Sequence, residues 1–516
     1  MNHLSTDPIL SCEDSLAYER TFFGGDEEHE WQVMNRAGEG IGDAMLRDMR
    51  ELRTIPPRPR ILALVGKGHN GGDAILATKR FLRTIPTARA VVLSVTRLED
   101  CRTLTQRAWN ELMEFAEKRV EFLDPDKNLQ VELENACEEG EFHGMIDGFL
   151  GMQAKLPLRE PMPSLIRWIN RTDKICVRVS VDLPTGVTDK GTEDSIRADF
   201  TYCTGIVKEP ILKSENAEFV GRIRYLDLGF FREDNRKEIN RRVLKPNLLK
   251  KLRQLRPVGD DKRSQGHLFL LAGSRQFAGA AMMAAQGALK SGIGLLTVGI
   301  PSSLHSSFAA QLPEAMWIPL PESPDGSIAL ESLGLIRSLL SKVTGIAVGP
   351  GLGPEKETSS LVRDLCSFFD GPILLDADAI RPEILKELRN QDRIVLTPHA
   401  GEFLRISNKK DADQWIAGND CTLVLKGPHT RILTRSTSIF CPGGSSVLAR
   451  GGSGDILTGI LGALLAKKKN TILEQCCLAV QWHGRAAEAL ARQHGQESVR
   501  TTEILNYLSF ATRNDF

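Results

Sequence analysis

Short apolar runs bounded by glycine, proline or charge recur along the first half of the chain. They are ILALVG from Ile61, ARAVVLSV from Ala88, HGMIDGFLG from His143, ICVRVSVDLP from Ile175 and FTYCTG from Phe200. Runs of this length, rich in Val, Ile and Leu, read as strands buried on both faces. Between them lie stretches of helical period, such as CRTLTQRAWNELMEFAEKRV from Cys101. The second half repeats the alternation, with HLFLLAGS from His267, LLTVGIP from Leu295, TGIAVGPGLG from Thr344, GPILLDADAI from Gly371, DRIVLTPHAGE from Asp392 and CTLVLKGPHTRILT from Cys421. A small-residue helix is predicted in GAAMMAAQGALKSG from Gly279, and another follows the glycines of LARGGSGDILTGILGALLA from Leu448. Alternating strand and helix predicts an α/β protein whose parallel sheets are covered on both faces.

The stretch FREDNRKEINRRVLKPNLLKKLRQLRP, from Phe231, is dense in charge and reads as a solvated connector with some helix. It separates two expected domains, residues 1–245 and 246–516. The halves share an architecture but no evident internal repeat. Lys plus Arg and Asp plus Glu both number 66, so net charge is zero, which argues against nucleic acid or a membrane as the main partner. The 10 cysteines include no C-x-x-C pair, and adjacent Cys476 and Cys477 sit in a predicted buried helix. A reduced, cytoplasmic chain is expected. MNHLSTDPILSCEDSL lacks the layout of a signal peptide, and runs such as ILGALLA from Ile460 are too short to span a bilayer.

Gly66, Gly68 and Gly71 have the G-x-G-x-x-G spacing of a dinucleotide-binding turn. Yet no acid ends the next strand to hold a ribose; Thr96 and Arg97 stand there. Two further strand ends carry Asp147, and Asp182 with Thr185. In a doubly wound sheet such ends converge on one crevice, so Asn70, Asp73, Asp147, Asp182 and Thr185 form a polar cluster. Buried carboxylates must be paired, protonated or cation-bound, and an oxygen-rich set suits a hard cation. One carboxylate could also serve as an acid or base.

Taken together, GKGHNGGDAILATKRFL, IDGFLG, VSVDLPTGV and QVMNRAG resemble the NAD(P)H-hydrate epimerase domain, with a Rossmann-like three-layer sandwich. The resemblance implies that His69, Asn70, Gly71, Gly72 and Asp73 meet the phosphates of a hydrated nicotinamide nucleotide, with Gly151 and Pro157 nearby. It implies potassium held by Asn70, Asp147 and Thr185, and Asp182 at the nicotinamide end as catalytic acid or base. His69 stands where asparagine is usual, and GMQAKLP from Gly151 replaces a G-T-G loop.

Gly451, Gly452, Ser453 and Gly454 precede Asp455 at a helix start. Backbone N–H groups there can stabilise a phosphoryl group while the carboxylate accepts a proton from the attacking hydroxyl. LKGPHT, TPHAGE, VGPGLG and LDADAI add further strand ends, the last with Asp376 and Asp378, and no Walker A motif is present. With LAGSRQFAGAAMMAAQGALKSGIGLLTV and GGSGDILTGI, these motifs resemble the NAD(P)H-hydrate dehydratase domain of the ribokinase-like superfamily, a second three-layer sandwich. That resemblance implies nucleotide binding by Lys426, Gly427, Pro428, His429, Thr430 and Gly454. It implies that Ala280, Gly353, His399 and Asp455 face the hydrate, with Asp455 catalytic. Arg263 occupies a place where glycine usually follows the lysine.

The implied function is nicotinamide nucleotide repair, in which R and S hydrates of NADH or NADPH are interconverted and the S form is dehydrated at the expense of ADP with Mg²⁺. The implied partners are the hydrates and ADP, with ATP an alternative, in a homo-oligomer. Two other readings stand beside it: a dehydratase whose N-terminal half is a binding or scaffold module, and a ribokinase-like small-molecule kinase.

Overall fold

Ile61, Ala63 and Val65 join one buried cluster and Leu62 and Leu64 another, as the two-residue period of a strand requires. The computed structural model describes residues 4–231, 239–388 and 391–513. These divide into two compact units, Asp7–Ile239 and Asn240–Phe516 with Met1–Thr6.

In the first unit one sheet is built from β1 (Arg60–Val65), β2 (Arg89–Ser94), β3 (Val120–Leu123), β4 (Gly144–Gly148), β5 (Arg178–Val181), β6 (Phe200–Thr204) and β7 (Arg222–Leu226). They pair in parallel in the order β7-β6-β5-β4-β1-β2-β3. The order reverses direction between β1 and β4, which opens a crevice at their C-terminal ends. The longer helices are α1 (Cys12–Phe23), α2 (Glu27–Asp48), α3 (His69–Thr84), α4 (Thr103–Ala116), α5 (Leu129–Glu138) and α6 (Met162–Arg171). Helices α2 to α4 share a core with the Ile61 face, and α5 and α6 with the Leu62 face, so three layers result. The predicted helix from Cys101 is α4. Strands β3 and β7 were not evident as apolar runs. β3 is a partly exposed VEFL, and β7 carries Arg224, whose buried guanidinium meets Asp48 and Glu51, both at 3.2 Å.

The second unit contains β8 (Arg241–Leu244), β9 (His267–Leu271), β10 (Leu295–Pro301), β11 (Met316–Leu320), β12 (Gly345–Val348), β13 (Ile373–Leu375), β14 (Ile394–Leu396), β15 (Thr422–Leu425), β16 (Arg431–Leu433) and β17 (Ser438–Phe440). Their order is β8-β17-β16-β15-β14-β13-β12-β9-β10-β11, with β16 antiparallel to β15 and β17 and every other pair parallel. Leu268 and Leu270 face α7 (Ala278–Lys290), α10 (Ser453–Lys467) and α11 (Ile472–His494), which buries Cys476 and Cys477. Phe269 and Leu271 face α8 (Lys356–Phe368) and α9 (Ala400–Ser407). The charged connector is corrected in one respect: its Arg241–Leu244 segment is strand β8, held beside β17, because Val243 and Leu244 are buried. Its residues 232–238 lie outside the described residues. Among the described residues no helix is long and apolar enough to cross a membrane, and all ten cysteines are free thiols.

Candidate active sites

Strand β1 ends at Val65, and the chain must enter α3 at His69. Missing side chains make the turn possible. A Cβ on Gly66 would lie 1.7 Å from the Phe149 carbonyl oxygen, and one on Gly71 1.9 Å from that of Gly66. The Gly71 and Gly72 amides donate to the Gly68 carbonyl at 3.0 and 3.3 Å, and both residues are buried. These two glycines therefore carry packing, whereas Lys67 is exposed and Gly68, His69 and Asn70 are partly exposed. His69 Nε2 lies 3.3 Å from Glu30 Oε1 on α2; burial lowers its pKa, with Glu30 opposing. Gln153 of the GMQAKLP loop accepts from the Arg102 guanidinium at 3.1 Å, while Pro157 is exposed.

Asn70 Nδ2 donates to the Val181 carbonyl at 2.9 Å, which ties the turn to the end of β5. Its Oδ1 faces Gly151, where a Cβ would come within 2.6 Å. Asp147 at the end of β4 is 1% exposed. Its carboxylate accepts from the Thr185 hydroxyl at 2.7 Å, the Thr185 amide at 2.8 Å, the Ser180 hydroxyl at 2.9 Å and the Phe149 amide at 3.3 Å. Burial raises its pKa, and these donors oppose the rise. The structure thus brings Asn70, Gly151, Asp147 and Thr185 to one loop cluster.

Asp182 follows β5 with φ 64°, a left-handed conformation that aspartate tolerates better than most residues. Oδ1 accepts from the Thr204 hydroxyl at 2.6 Å and amide at 2.8 Å, and Oδ2 lies 2.9 Å from Lys208 Nζ. Lys208 is wholly buried; burial works against its charge, but Asp182 and Glu19 outweigh it and the pKa is raised. Asp73 is buried too, and burial, then Asp182 and Glu19, push its carboxyl well above the usual range. An interior Asp73 is poorly placed to bind phosphate. Lys208 and Glu19 were not singled out by sequence. For Lys208 the signal was a lysine inside the apolar segment TGIVKEP; Glu19 had none.

In the second unit the expected residues gather at the ends of β12 to β15 and the start of α10. The Asp376 carboxylate accepts from Lys426 Nζ at 2.7 Å, the Thr397 hydroxyl at 2.8 Å and the Thr458 hydroxyl at 2.6 Å. Asp376 is 1% exposed, so the lysine is held by a buried partner. A Cβ on Gly454 would lie 3.2 Å from Lys426 Nζ, so the start of α10 and the lysine are neighbours. Asp455 has its pKa raised to about 6, by burial first and then by Asp376, with Lys426 opposing and Asp378 and Glu402 adding. Gly427, Pro428, His429 and Thr430 form the turn between β15 and β16, and the His429 ring meets Phe440 edge-on at 5.5 Å.

His399 caps α9. Its Nδ1 accepts from the Gly401 and Glu402 amides at 3.0 and 3.3 Å, which leaves the proton on Nε2. Its side chain remains 61% exposed, with Nε2 3.5 Å from Glu402 Oε1. Gly353 (φ 83°) donates its amide to Asp378 Oδ2 at 2.9 Å, and Ala280 on α7 packs on the same loop through Gly351. Thr397 and Thr458 had no sequence signal as partners of Asp376.

The family model described as NAD(P)H-hydrate dehydratase matches residues 268–509. That of the YjeF-related protein N-terminus matches residues 30–209. The bifunctional NAD(P)H-hydrate repair enzyme of Gloeobacter violaceus is 35% identical over 373 residues, 68% of this chain and 71% of its own. The chain belongs to the bifunctional NAD(P)H-hydrate repair enzymes. The repair enzyme of Synechocystis is 29% identical over 496 residues, 91% of this chain and 90% of its own. Among solved structures, the ADP/ATP-dependent NAD(P)H-hydrate dehydratase of Bacillus subtilis, co-crystallised with ATP/Mg²⁺, is 27% identical. It has a TM-score of 0.44 and covers 52% of this chain and 96% of its own. Family membership thus accounts for both halves: an epimerase domain and a dehydratase domain.

Proposed function

We propose that the N-terminal site interconverts the R and S hydrates through Asp182, and that the C-terminal site dehydrates the S form with ADP through Asp455. The observation that carries the second step is the placement of Asp455 on the first turn of α10, beside Lys426 and its buried partner Asp376. Asp455 takes the proton of the ring hydroxyl as its oxygen attacks the terminal phosphorus of ADP. The amides at the start of α10 and Lys426 stabilise charge on the phosphoryl group, and AMP departs. The ring C–O bond then breaks with phosphate as leaving group, and loss of a proton from the adjacent carbon restores the double bond. Mg²⁺ supplies charge neutralisation on the nucleotide phosphates. The Asp376 oxygens are filled by Lys426, Thr397 and Thr458, so the phosphates and water would carry most of that ion.

The test mixes the protein with both NADH-hydrate epimers, with and without ADP, and follows recovery of reduced-nicotinamide absorbance. Full recovery is expected with ADP. Recovery of the S fraction alone removes the epimerase reading. A lasting phosphorylated product points to a kinase. Asp182→Asn is expected to lower R-to-S conversion about a hundredfold or more while S-form dehydration continues; unchanged conversion contradicts the role of Asp182.

For the epimerase domain, Asn70 Oδ1, the Thr185 hydroxyl and Asp147 would hold potassium. One carboxylate among neutral oxygens suits a monovalent hard cation, and a cation would offset the buried charge of Asp147. Melting in KCl is expected to occur at higher temperature than in choline chloride at equal ionic strength. Asp147→Asn should erase that difference, and equal melting of the parent in both salts removes the potassium assignment.

A further inference from the structure

The glycine turn before α3 keeps few donors of its own for a phosphate. The Gly71 and Gly72 amides donate to the Gly68 carbonyl, and Asp73 is interior. Two cations stand beside those residues. Lys67 lies in the turn and is exposed. Arg102, just before α4, is also exposed, and its amide donates to the Lys67 carbonyl at 2.9 Å. The Thr105 hydroxyl donates to the Gly68 carbonyl at 3.0 Å, which fastens the start of α4 to the turn at a second point. The Arg102 side chain reaches the loop after β4, where Nη2 donates to Gln153 Oε1 at 3.1 Å. That loop folds back on itself through the Ala154 amide, which donates to the Gly151 carbonyl at 3.0 Å, and Gly151 borders the Asn70 side chain. Arg102 thus links the glycine turn to the loop beside Asn70.

The neighbouring charges are answered by partners and these two are not. Arg97 holds Asp126 at 2.7 Å, Arg107 holds Glu28 at 2.8 Å, and His69 lies 3.3 Å from Glu30. Among the described residues no carboxylate is within ion-pair distance of the Lys67 ammonium or the Arg102 guanidinium. Gln153 takes one N–H of that guanidinium, and the planar fork of the others matches the oxygens of a phosphate. We propose that Arg102, with Lys67 beside it, forms the phosphate subsite of the epimerase site and sets how tightly the hydrate is held; this rests on the reading of the Asp182 cluster as that site. The group recognised is a phosphate of the dinucleotide: the diphosphate common to both hydrates, or the 2′-phosphate that only the NADPH hydrate carries. Inversion takes place at the nicotinamide ring, so the phosphate contact is the same before, during and after it. Such uniform binding lowers KM and leaves the turnover number alone.

The experiment uses the full chain without ADP, NADH hydrate and NADPH hydrate depleted in the S form as separate substrates, and chromatographic separation of the epimers. Arg102→Gln is expected to raise KM at least about tenfold, with the turnover number within about twofold of the parent's. Arg102→Lys should recover part of the loss, because it keeps the charge without the fork. A rise for both hydrates assigns the diphosphate, and a rise for the NADPH hydrate alone assigns the 2′-phosphate. Arg97→Gln removes the same charge from an arginine already paired with Asp126, and its KM should match the parent's. Gln153→Ala cuts the tether but leaves the guanidinium, so its KM should rise by about threefold or less. The proposal is overturned if Arg102→Gln keeps the parental KM, or if it lowers only the turnover number. It is also overturned if Arg97→Gln raises KM equally, or if Gln153→Ala does, since Arg102 would then only hold the loop. If the parent itself does not convert R to S, the reading of the whole site falls and the subsite with it. Should Arg102→Gln melt early, Lys67→Gln decides: a raised KM supports the subsite, and a parental KM overturns it.

Discussion

Asp455→Asn lowers dehydration of the S hydrate by about 10³-fold while ADP still binds. The amide keeps the shape and the helix start but cannot accept a proton from the attacking hydroxyl. Lys426 and the turn between β15 and β16 are untouched, so the nucleotide's dissociation constant, read by calorimetry, should change little. In the parent, burial and Asp376 place the Asp455 pKa at about 6. As pH falls through that value the carboxylate gains a proton and loses its function as a base, so the turnover number should drop on the acid side. Residual turnover in the variant should lack that limb. An Asp455→Asn enzyme with parental turnover removes Asp455 as the base.

The second large effect concerns stability. Gly349 follows β12 with φ 134°, and a Cβ there would lie 1.7 Å from the Asp376 carbonyl oxygen. That neighbour is backbone just past the end of β13, so Gly349→Ala must shift β13 or distort the turn. A cost of about 4 kcal/mol is expected, at the upper end for single substitutions. Thermal melting followed by dehydratase activity should show early loss in the second unit, with R-to-S conversion retained at the same temperature. Gly334→Ala is the control. It lies in the short helix Ser332–Arg337 with open space around it, so melting should stay the same or rise slightly. Equal melting of Gly349→Ala and the parent would show that the loop can relax.

Fold and sites were legible to different depths. Apolar runs announced β1, β2, β4, β5 and β6 because both faces of those strands are buried. Strand β7 was missed because Arg224 reads as solvent-facing, whereas Asp48 and Glu51 compensate its charge in the interior. Strand ends revealed Asp147, Asp182 and Asp376, since a carboxylate closing an apolar run is visible locally, and Asp455 was legible from the glycines that precede it at a helix start. Lys208 was not read as a site residue because its meaning lies in its tertiary approach to Asp182, across segments apart in the chain. The glycines of the first turn looked like ligand contacts, but Gly71 and Gly72 are spent on the close passage of α3 over the Gly66–Gly68 turn and against α2.

The Asp376 carboxylate joins three segments: Lys426 after β15, Thr397 after β14 and Thr458 on α10, the helix that also carries Asp455. A substitution screen scored on product alone would therefore rank Asp376 among the residues that perform the chemistry. Its loss would free Lys426 and shift the helix of Asp455 together, mimicking removal of the base. Melting curves recorded beside rates tell such a fastener from a reagent: Asp376→Asn should lower both, whereas Asp455→Asn should lower only the rate.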